Sequence, residues 1–242
     1  LGRWVAAGKI VFDNFNPKKS VIPNFEIPKH WKKRFRIFDF GYRSPFTCLW
    51  IVQAEEDVKR YNIELQKGDY ILYKEMYYTE RTTSVNARRV VEFSKHPDGE
   101  PEKYIASIAD WDAGERADLE AEGIKTIQAD KDIIAGIQRV REVLGNIDPS
   151  RGFVIRPSFY IFENTLVEYD PKVKINLETG ERNNSPSCLK EELLAYSWKA
   201  AQNGVLKEEP EDRYNHSTDP LRYFFNTLKK VQWRDIEFMS IH

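Results

Sequence analysis

An aspartate stands inside an apolar, strand-like run, Arg36-Ile37-Phe38-Asp39-Phe40-Gly41. A bare carboxylate among such residues costs several kcal/mol unless it is paired or binds a cation. Two more aspartates stand where regular elements meet turns. Asp110 lies in Ser107-Ile108-Ala109-Asp110-Trp111, and Asp219 in His216-Ser217-Thr218-Asp219-Pro220-Leu221-Arg222-Tyr223. Acids so distant in the chain make a site only if folding gathers them. Gathered carboxylates repel, and without a cation some take up protons. Hard oxygen ligands suit Mg²⁺ or Mn²⁺. Two such ions about 3.5–4 Å apart can activate a water and stabilise a leaving oxygen. The chemistry expected of this set is hydrolysis of a phosphodiester.

Each residue also has a structural explanation. Asp39 could bond turn amides before Gly41. Asp110 could cap the helix that follows, with Asp112 as a competing ligand. Asp219 precedes Pro220, a strong helix-start arrangement. His216 is either a surface histidine or a metal ligand three residues before Asp219.

The elements that must position these residues are legible in outline. Residues 1–35 read as a basic arm punctuated by Pro17, Pro23 and Pro28, and 36–242 as one domain. Three strands at about 35–40, 46–52 and 70–77 are rich in β-branched and aromatic residues. A helix is expected over 84–96. The almost continuous apolar run Tyr104–Ala109 reads as a strand buried on both faces. A short helix over 115–122, a strand at 124–127 and a helix carrying Ile133, Ile137, Val140 and Leu144 follow. Residues 164–184 are expected to form a β-hairpin insertion. Ser185-Pro186 would open a helix with Leu189, Leu193 and Tyr196, 202–214 a polar loop, and Leu221, Phe224, Phe225 and Leu228 one face of a last helix. A hairpin-linked triplet joined by helical crossovers to further strands gives an α/β fold, a mixed central sheet flanked by helices.

Composition narrows the class without naming a partner. The 242 residues are 41% hydrophobic and 31% charged with net charge −1, so no global polycation announces nucleic acid. The first 36 residues are locally basic, with Arg3, Lys9, Lys18, Lys19, Lys29, Lys32, Lys33, Arg34 and Arg36 against Asp13 and Glu26. Cys48 and Cys188 have no metal-knuckle or redox spacing, which fits a reducing compartment. No apolar run approaches the ~20 residues that span a bilayer, and no signal peptide is visible. The chain opens on Leu1, as a piece of a longer protein would.

An ordered set of motifs resembles the C-terminal nuclease domain of the large terminase subunit of tailed bacteriophages. Gly2-Arg3-Trp4-Val5 and Gly8-Lys9-Ile10-Val11-Phe12 resemble the segment leaving that family's motor domain. Asp39-Phe40-Gly41 with Pro45 resembles its first acidic motif, and Ala109-Asp110 its second. Lys131-Asp132-Ile133, Gly136-Ile137 and Val140 are similar to its next helix. Cys188, Glu192, Leu193, Tyr196 and Trp198 match a further stretch, and His216, Asp219, Leu221, Arg222 and Tyr223 the closing motif. Trp111 departs from the proline common after the second acid, and the stretch from Pro157 to Cys188 is longer than usual.

The resemblance implies an RNase H-like fold and an endonuclease that cuts concatemeric viral DNA during genome packaging, in the cytoplasm of the infected host cell. It carries catalysis onto Asp39, Asp110 and Asp219, and two Mg²⁺ or Mn²⁺ ions onto those residues with His216. It implies double-stranded DNA, an upstream ATPase domain, and the portal and small terminase subunit as partners, with no membrane. Arg43, Arg81, Arg88, Arg89, Lys131 and Arg222 are the cations expected to meet DNA phosphates, giving weak sequence preference and strong salt dependence. No Gly-x-x-x-x-Gly-Lys-Ser/Thr loop occurs, so no ATPase activity is expected of this chain. The rival reading is a non-catalytic nucleic-acid or portal-docking module on the same fold.

Overall fold

The computed structural model describes residues 10–60, 62–145, 155–177, 179–200 and 206–230. In chain order the elements are α1 (Pro17–Ser20), β1 (Val21–Ile22), β2 (Arg34–Asp39), β3 (Phe46–Gln53), β4 (Val58–Arg60), β5 (Ile63–Leu65), β6 (Tyr70–Tyr78), α2 (Thr83–Phe93), β7 (Ala106–Ala109), α3 (Ala113–Ala121), β8 (Ile127–Gln128), α4 (Ile133–Val143), β9 (Phe159–Phe162), β10 (Leu166–Tyr169), α5 (Leu189–Ala195), β11 (Trp198–Ala200), β12 (Leu206–Pro210) and α6 (Thr218–Lys230).

The central sheet runs β1-β9-β6-β3-β2-β7-β8, with β10 added to β6 beyond β9. The β2–β3 and β3–β6 pairs are antiparallel, and the others are parallel. This is the mixed α/β sheet expected from the hairpin triplet and its crossovers. Its two faces carry two separate cores. Phe35 and Ile37 of β2, Leu49 and Ile51 of β3, and Ile108 of β7 join Ile137 and Val140 of α4, Leu189 and Leu193 of α5, and Leu221, Phe224 and Phe225 of α6. The alternate residues Phe38, Cys48, Trp50 and Ala109 pack on the other face with Ala87 and Val90 of α2 and Leu119 of α3. Alternation along the strands produces this division, interrupted in β6 where the ladder with β3 shifts register between Trp50 and Ile51. Fully burying one such side chain stabilises by roughly 1.5–3 kcal/mol, so Leu221, Tyr223, Phe224 and Phe225 contribute strongly to holding α6 on the sheet.

Close packing brings α6 to the sheet edge. A Cβ on Gly136 of α4 would stand 2.9 Å from Arg222 Cβ of α6, so glycine lets the two helices touch. Among the described residues, no helix is long and apolar enough to cross a membrane.

Several local expectations shift. Strand β9, Phe-Tyr-Ile-Phe, has no alternation and was not anticipated. Nor were the two-residue β1, the small β4–β5 hairpin, or the β11–β12 ribbon that takes part of the expected polar loop. The segment read as an arm inserts β1 beside β9 and buries Val11, Phe12, Phe15 and Trp31. The hairpin expected over 164–184 is smaller. Its first part, β10, joins β6 in parallel, and only then does the chain turn back, with Ile175 bridged to Arg182. The helix expected to open at Ser185-Pro186 starts at Leu189 instead, after Cys188. At that start the Leu189 amide donates to Glu75 Oε1 at 2.7 Å. The motif residues before Ile10 lie outside the described residues.

Candidate active site

Strand register brings the first two acids together. The parallel β2–β7 ladder pairs Ile37 with Ile108 and Phe38 with Ala109. Asp39 ends β2 and Asp110 immediately follows β7, both at the carboxyl ends of the paired strands. By alternation both continue the face of Phe35, Ile37, Ala106 and Ile108, where α4 and α6 lie. The turn after Asp39 is tight, because a Cβ on Gly41 would meet Ser44 O at 2.5 Å. Asp39 also faces Thr47 of β3, and Thr47 faces Tyr77 of β6, so one row of side chains crosses the sheet edge.

Helix α6 brings the third acid. Asp219 sits in its first turn, and one turn further Tyr223 Oη reaches Asp39 Oδ1 at 3.5 Å. Burial, then the charges of Asp219 and Asp110, push the Asp39 carboxyl well above the usual aspartate range, with Lys131 opposing. Burial likewise raises Asp219, against the attraction of Arg222. Lys131, just before α4, donates to both Asp110 oxygens at 2.7 and 2.8 Å. Its ammonium lies 5.6 Å from the Tyr223 ring centre. Lys131 thus bonds Asp110, and its charge opposes the upward shifts of Asp39 and Asp219.

The helix-cap explanations for Asp110 and Asp219 fall elsewhere, although Asp110 does accept from the Trp111 amide. The cap of α3 is Asp112, which accepts from Glu115 N at 2.9 Å. Asp219 lies inside α6 rather than before it, and bonds Arg222 Nη2 at 2.5 Å. Arg222 is buried, with Nε and Nη1 left without a hydrogen-bond partner. His216 is half-buried. Its carbonyl accepts from Thr47 Oγ1 at 2.6 Å, and its ring stands edge-on to Tyr77 at 6.3 Å. Burial lowers its pKa, and Asp212 pulls it back up.

Chemically the donor set fits a hard divalent ion: three carboxylates at one sheet edge with excess negative charge. As the side chains stand, however, among the described residues no three His, Cys, Asp or Glu groups close around a single ion position. Asp110 is turned to Lys131 and Asp219 to Arg222.

The predicted phosphate contacts divide. Arg43 is exposed in the turn after Asp39. Arg81 and Arg89 instead reach Glu168 of β10, at 2.9 and 3.2 Å. Burial would raise Glu168, but hydrogen bonds from Arg81 and Arg89 hold it below its ordinary value. Arg88 approaches Glu122 at 3.9 Å, next to α3. These three arginines tie α2 to its neighbours.

Two site-side residues received no role from the sequence, although Glu192 stood among the matching motif residues. Glu75 and Glu192 are fully buried on the Asp39 face. Burial is the largest cause raising each, to about 7 for Glu75 and about 8 for Glu192. The signal for Glu75 was present: like Asp39, it is an acid within an apolar strand.

This architecture is the RNase H-like fold of bacteriophage large-terminase nuclease domains. The large terminase of a thermophilic bacteriophage superposes with a TM-score of 0.61 at 24% identity, covering 95% of this chain and 47% of that one. The nuclease domain of the P22 large terminase gives 0.56 at 14% identity, covering 94% of this chain and 96% of that one. The large-terminase nuclease domain of bacteriophage SPP1, with bound Mn, gives 0.52 at 16%, covering 90% of this chain and 99% of that one. This chain thus spans about half the length of the thermophilic phage's terminase. No family profile and no curated protein matches the sequence. At these identities the likeness establishes the fold.

Proposed function

We propose that this chain is the nuclease domain of a phage large terminase, and that it hydrolyses DNA phosphodiester bonds with divalent ions held by Asp39, Asp110 and Asp219. The observation that carries the reading is the in-register exit of Asp39 and Asp110 from adjacent parallel strands, beside an aspartate of α6. The bound Mn of the SPP1 domain supports the same metal class, Mn²⁺ or Mg²⁺. Bound there, such ions would supply an activated water and charge stabilisation at the leaving oxygen.

The chain's own residues prepare that chemistry. Tyr223 bonds Asp39 and orients it. Lys131 neutralises Asp110 and offers an ammonium to a phosphate oxygen. Arg43, exposed beside Asp39, takes a further phosphate. His216 stands three residues before Asp219 as a further candidate ligand. Phosphate contacts carry no base code, so cutting has low sequence specificity. In the packaging machine the substrate is concatemeric viral DNA in the cytoplasm of the infected host cell. The ATPase domain, portal and small subunit are its partners there. The likeness to the thermophilic phage's terminase, which covers only part of that longer protein, supports the link to a motor.

The test is nicking of supercoiled plasmid in Mn²⁺ or Mg²⁺. Wild type should relax the plasmid and Asp39→Asn should not. The second reading, a non-catalytic DNA- or portal-docking module, is favoured by the turning of Asp110 and Asp219 toward Lys131 and Arg222. It predicts metal-independent binding that survives Asp39→Asn, with no nicking by wild type.

A further inference from the structure

The start of α6 is held by acids that belong to other elements. A helix leaves its first amides without intrahelical acceptors, and a local Ser, Thr, Asp or Asn usually serves them. Here Glu192 of α5 does so. Its Oε2 accepts from Ser217 N at 2.7 Å and Thr218 N at 2.9 Å, while its Oε1 accepts from Tyr77 Oη at 3.0 Å. Glu75 of β6 takes the other end of the same serine. Its Oε1 accepts from Ser217 Oγ at 2.7 Å and from Leu189 N at 2.7 Å, and its Oε2 from Thr165 Oγ1 at 3.2 Å. Glu75, Glu192, Ser217 and Thr218 are all fully buried.

One residue earlier, Thr47 Oγ1 holds the His216 carbonyl at 2.6 Å. Three consecutive residues, 216 to 218, are thus fastened to β3, β6 and α5 immediately before Asp219. A cap from a neighbouring residue would satisfy the amides equally well. It would not tie the helix to the sheet. Burying two carboxylates near one another is unfavourable by itself, so a local cap would be the simpler way to start a helix.

We infer that Glu192 and Glu75 are positioning residues, which clamp Ser217 and so fix Asp219 against Asp39 and Asp110. The inference rests on the nuclease reading for its consequence, while the clamp itself stands on the hydrogen bonds. Sub-ångström placement matters here, since a shift of about 1 Å in a reacting constellation can reduce rate roughly 100-fold. The row Asp39–Thr47–Tyr77 across the sheet supplies the fixed reference, because Thr47 bonds the His216 carbonyl and Tyr77 bonds Glu192.

The test uses the 242-residue chain as wild type, Glu192→Gln and Glu192→Ala. Gln retains the acceptor for the Ser217 and Thr218 amides and can meet Tyr77 Oη through its own N–H. The first readout is hydrogen exchange at the Ser217 and Thr218 amides without metal. Glu192→Ala should speed exchange at least 10-fold, and Glu192→Gln should restore protection. The second is plasmid nicking against Mn²⁺ and DNA concentration. Glu192→Ala should nick at least 10-fold more slowly and need several-fold more Mn²⁺, with DNA half-saturation unchanged; Glu192→Gln should recover both.

Unchanged exchange in a folded Glu192→Ala overturns the clamp. Faster exchange with wild-type nicking and Mn²⁺ dependence overturns its positioning role. If Glu192→Ala does not fold, Ser217→Ala removes only the bond to Glu75, and the same exchange and Mn²⁺ comparisons decide. Absence of nicking by wild type sinks the nuclease reading and with it the positioning role; exchange then judges only the clamp.

Discussion

Asp39 and Asp110 leave the sheet side by side, each one residue past the paired positions Phe38 and Ala109 of parallel strands β2 and β7. Two carboxylates brought this close are in electrostatic conflict unless a cation sits between them. Lys131 supplies one cation in this structure, through both oxygens of Asp110.

Replacing Asp39 by Asn should separate stability from activity. Burial and the charges of Asp219 and Asp110 disfavour the Asp39 carboxylate, so a neutral isostere relieves that conflict. Thermal melting without metal should rise by a few degrees, in line with about 1 kcal/mol of relief. Plasmid nicking should fall at least 100-fold. A destabilised but active variant would contradict both halves.

Lys131→Met should reveal competition for Asp110. With the ammonium gone, a divalent ion no longer displaces it, and half-saturating Mn²⁺ for nicking should fall several-fold. DNA half-saturation should rise if the same ammonium also meets phosphate. A titration of Mn²⁺ at fixed DNA, then of DNA at saturating Mn²⁺, separates the two effects; an increased Mn²⁺ requirement would refute the competition.

Stability should decline as pH rises from about 5 to about 8. The sign follows from the two buried glutamates. Their values are raised from 4.5 to about 7 for Glu75 and about 8 for Glu192. Between the unfolded and folded values the folded chain binds more protons than the unfolded one, so each step up in pH favours unfolding. Asp39 and Asp219, raised chiefly by burial, act in the same direction. His96 and His216, lowered chiefly by burial, oppose near neutral pH, but the glutamate shifts are the larger. Melting curves across that range should show the decline, and Glu192→Gln should flatten it. A profile unaffected by the substitution would speak against a protonated Glu192.

The arginines should divide into two groups. Arg43→Ala should weaken DNA binding a few-fold and reduce the slope of log affinity against log salt by about one. Arg89→Ala should leave that slope unchanged, because Arg89 is engaged by Glu168 and Glu92, and should lower stability by about 1 kcal/mol. Binding measured from low to physiological salt, beside a melting curve for each variant, distinguishes them.

Local pattern in the chain alone disclosed part of this site and fold. Asp39 announced itself because an acid in an apolar strand demands a partner, and Asp110 because it closes a run buried on both faces. The helix with Ile137 and Val140 and the apolar face of α6 followed from their spacing. Pairing between distant segments had to be seen in the fold. Register between β2 and β7 made Asp39 and Asp110 neighbours, a relation between segments about 70 residues apart that no local period encodes. Tertiary structure also placed Asp219 in the first turn of α6 rather than at its cap, with Glu192 of another helix serving the Ser217 and Thr218 amides. Strand β9 was hidden because a four-residue apolar run has no alternation to read. An acid within the apolar strand Tyr70–Tyr78 marked Glu75 in the sequence, but its partners come from residues 165, 189 and 217. Only folding assembles such partners, and only they make its burial tolerable.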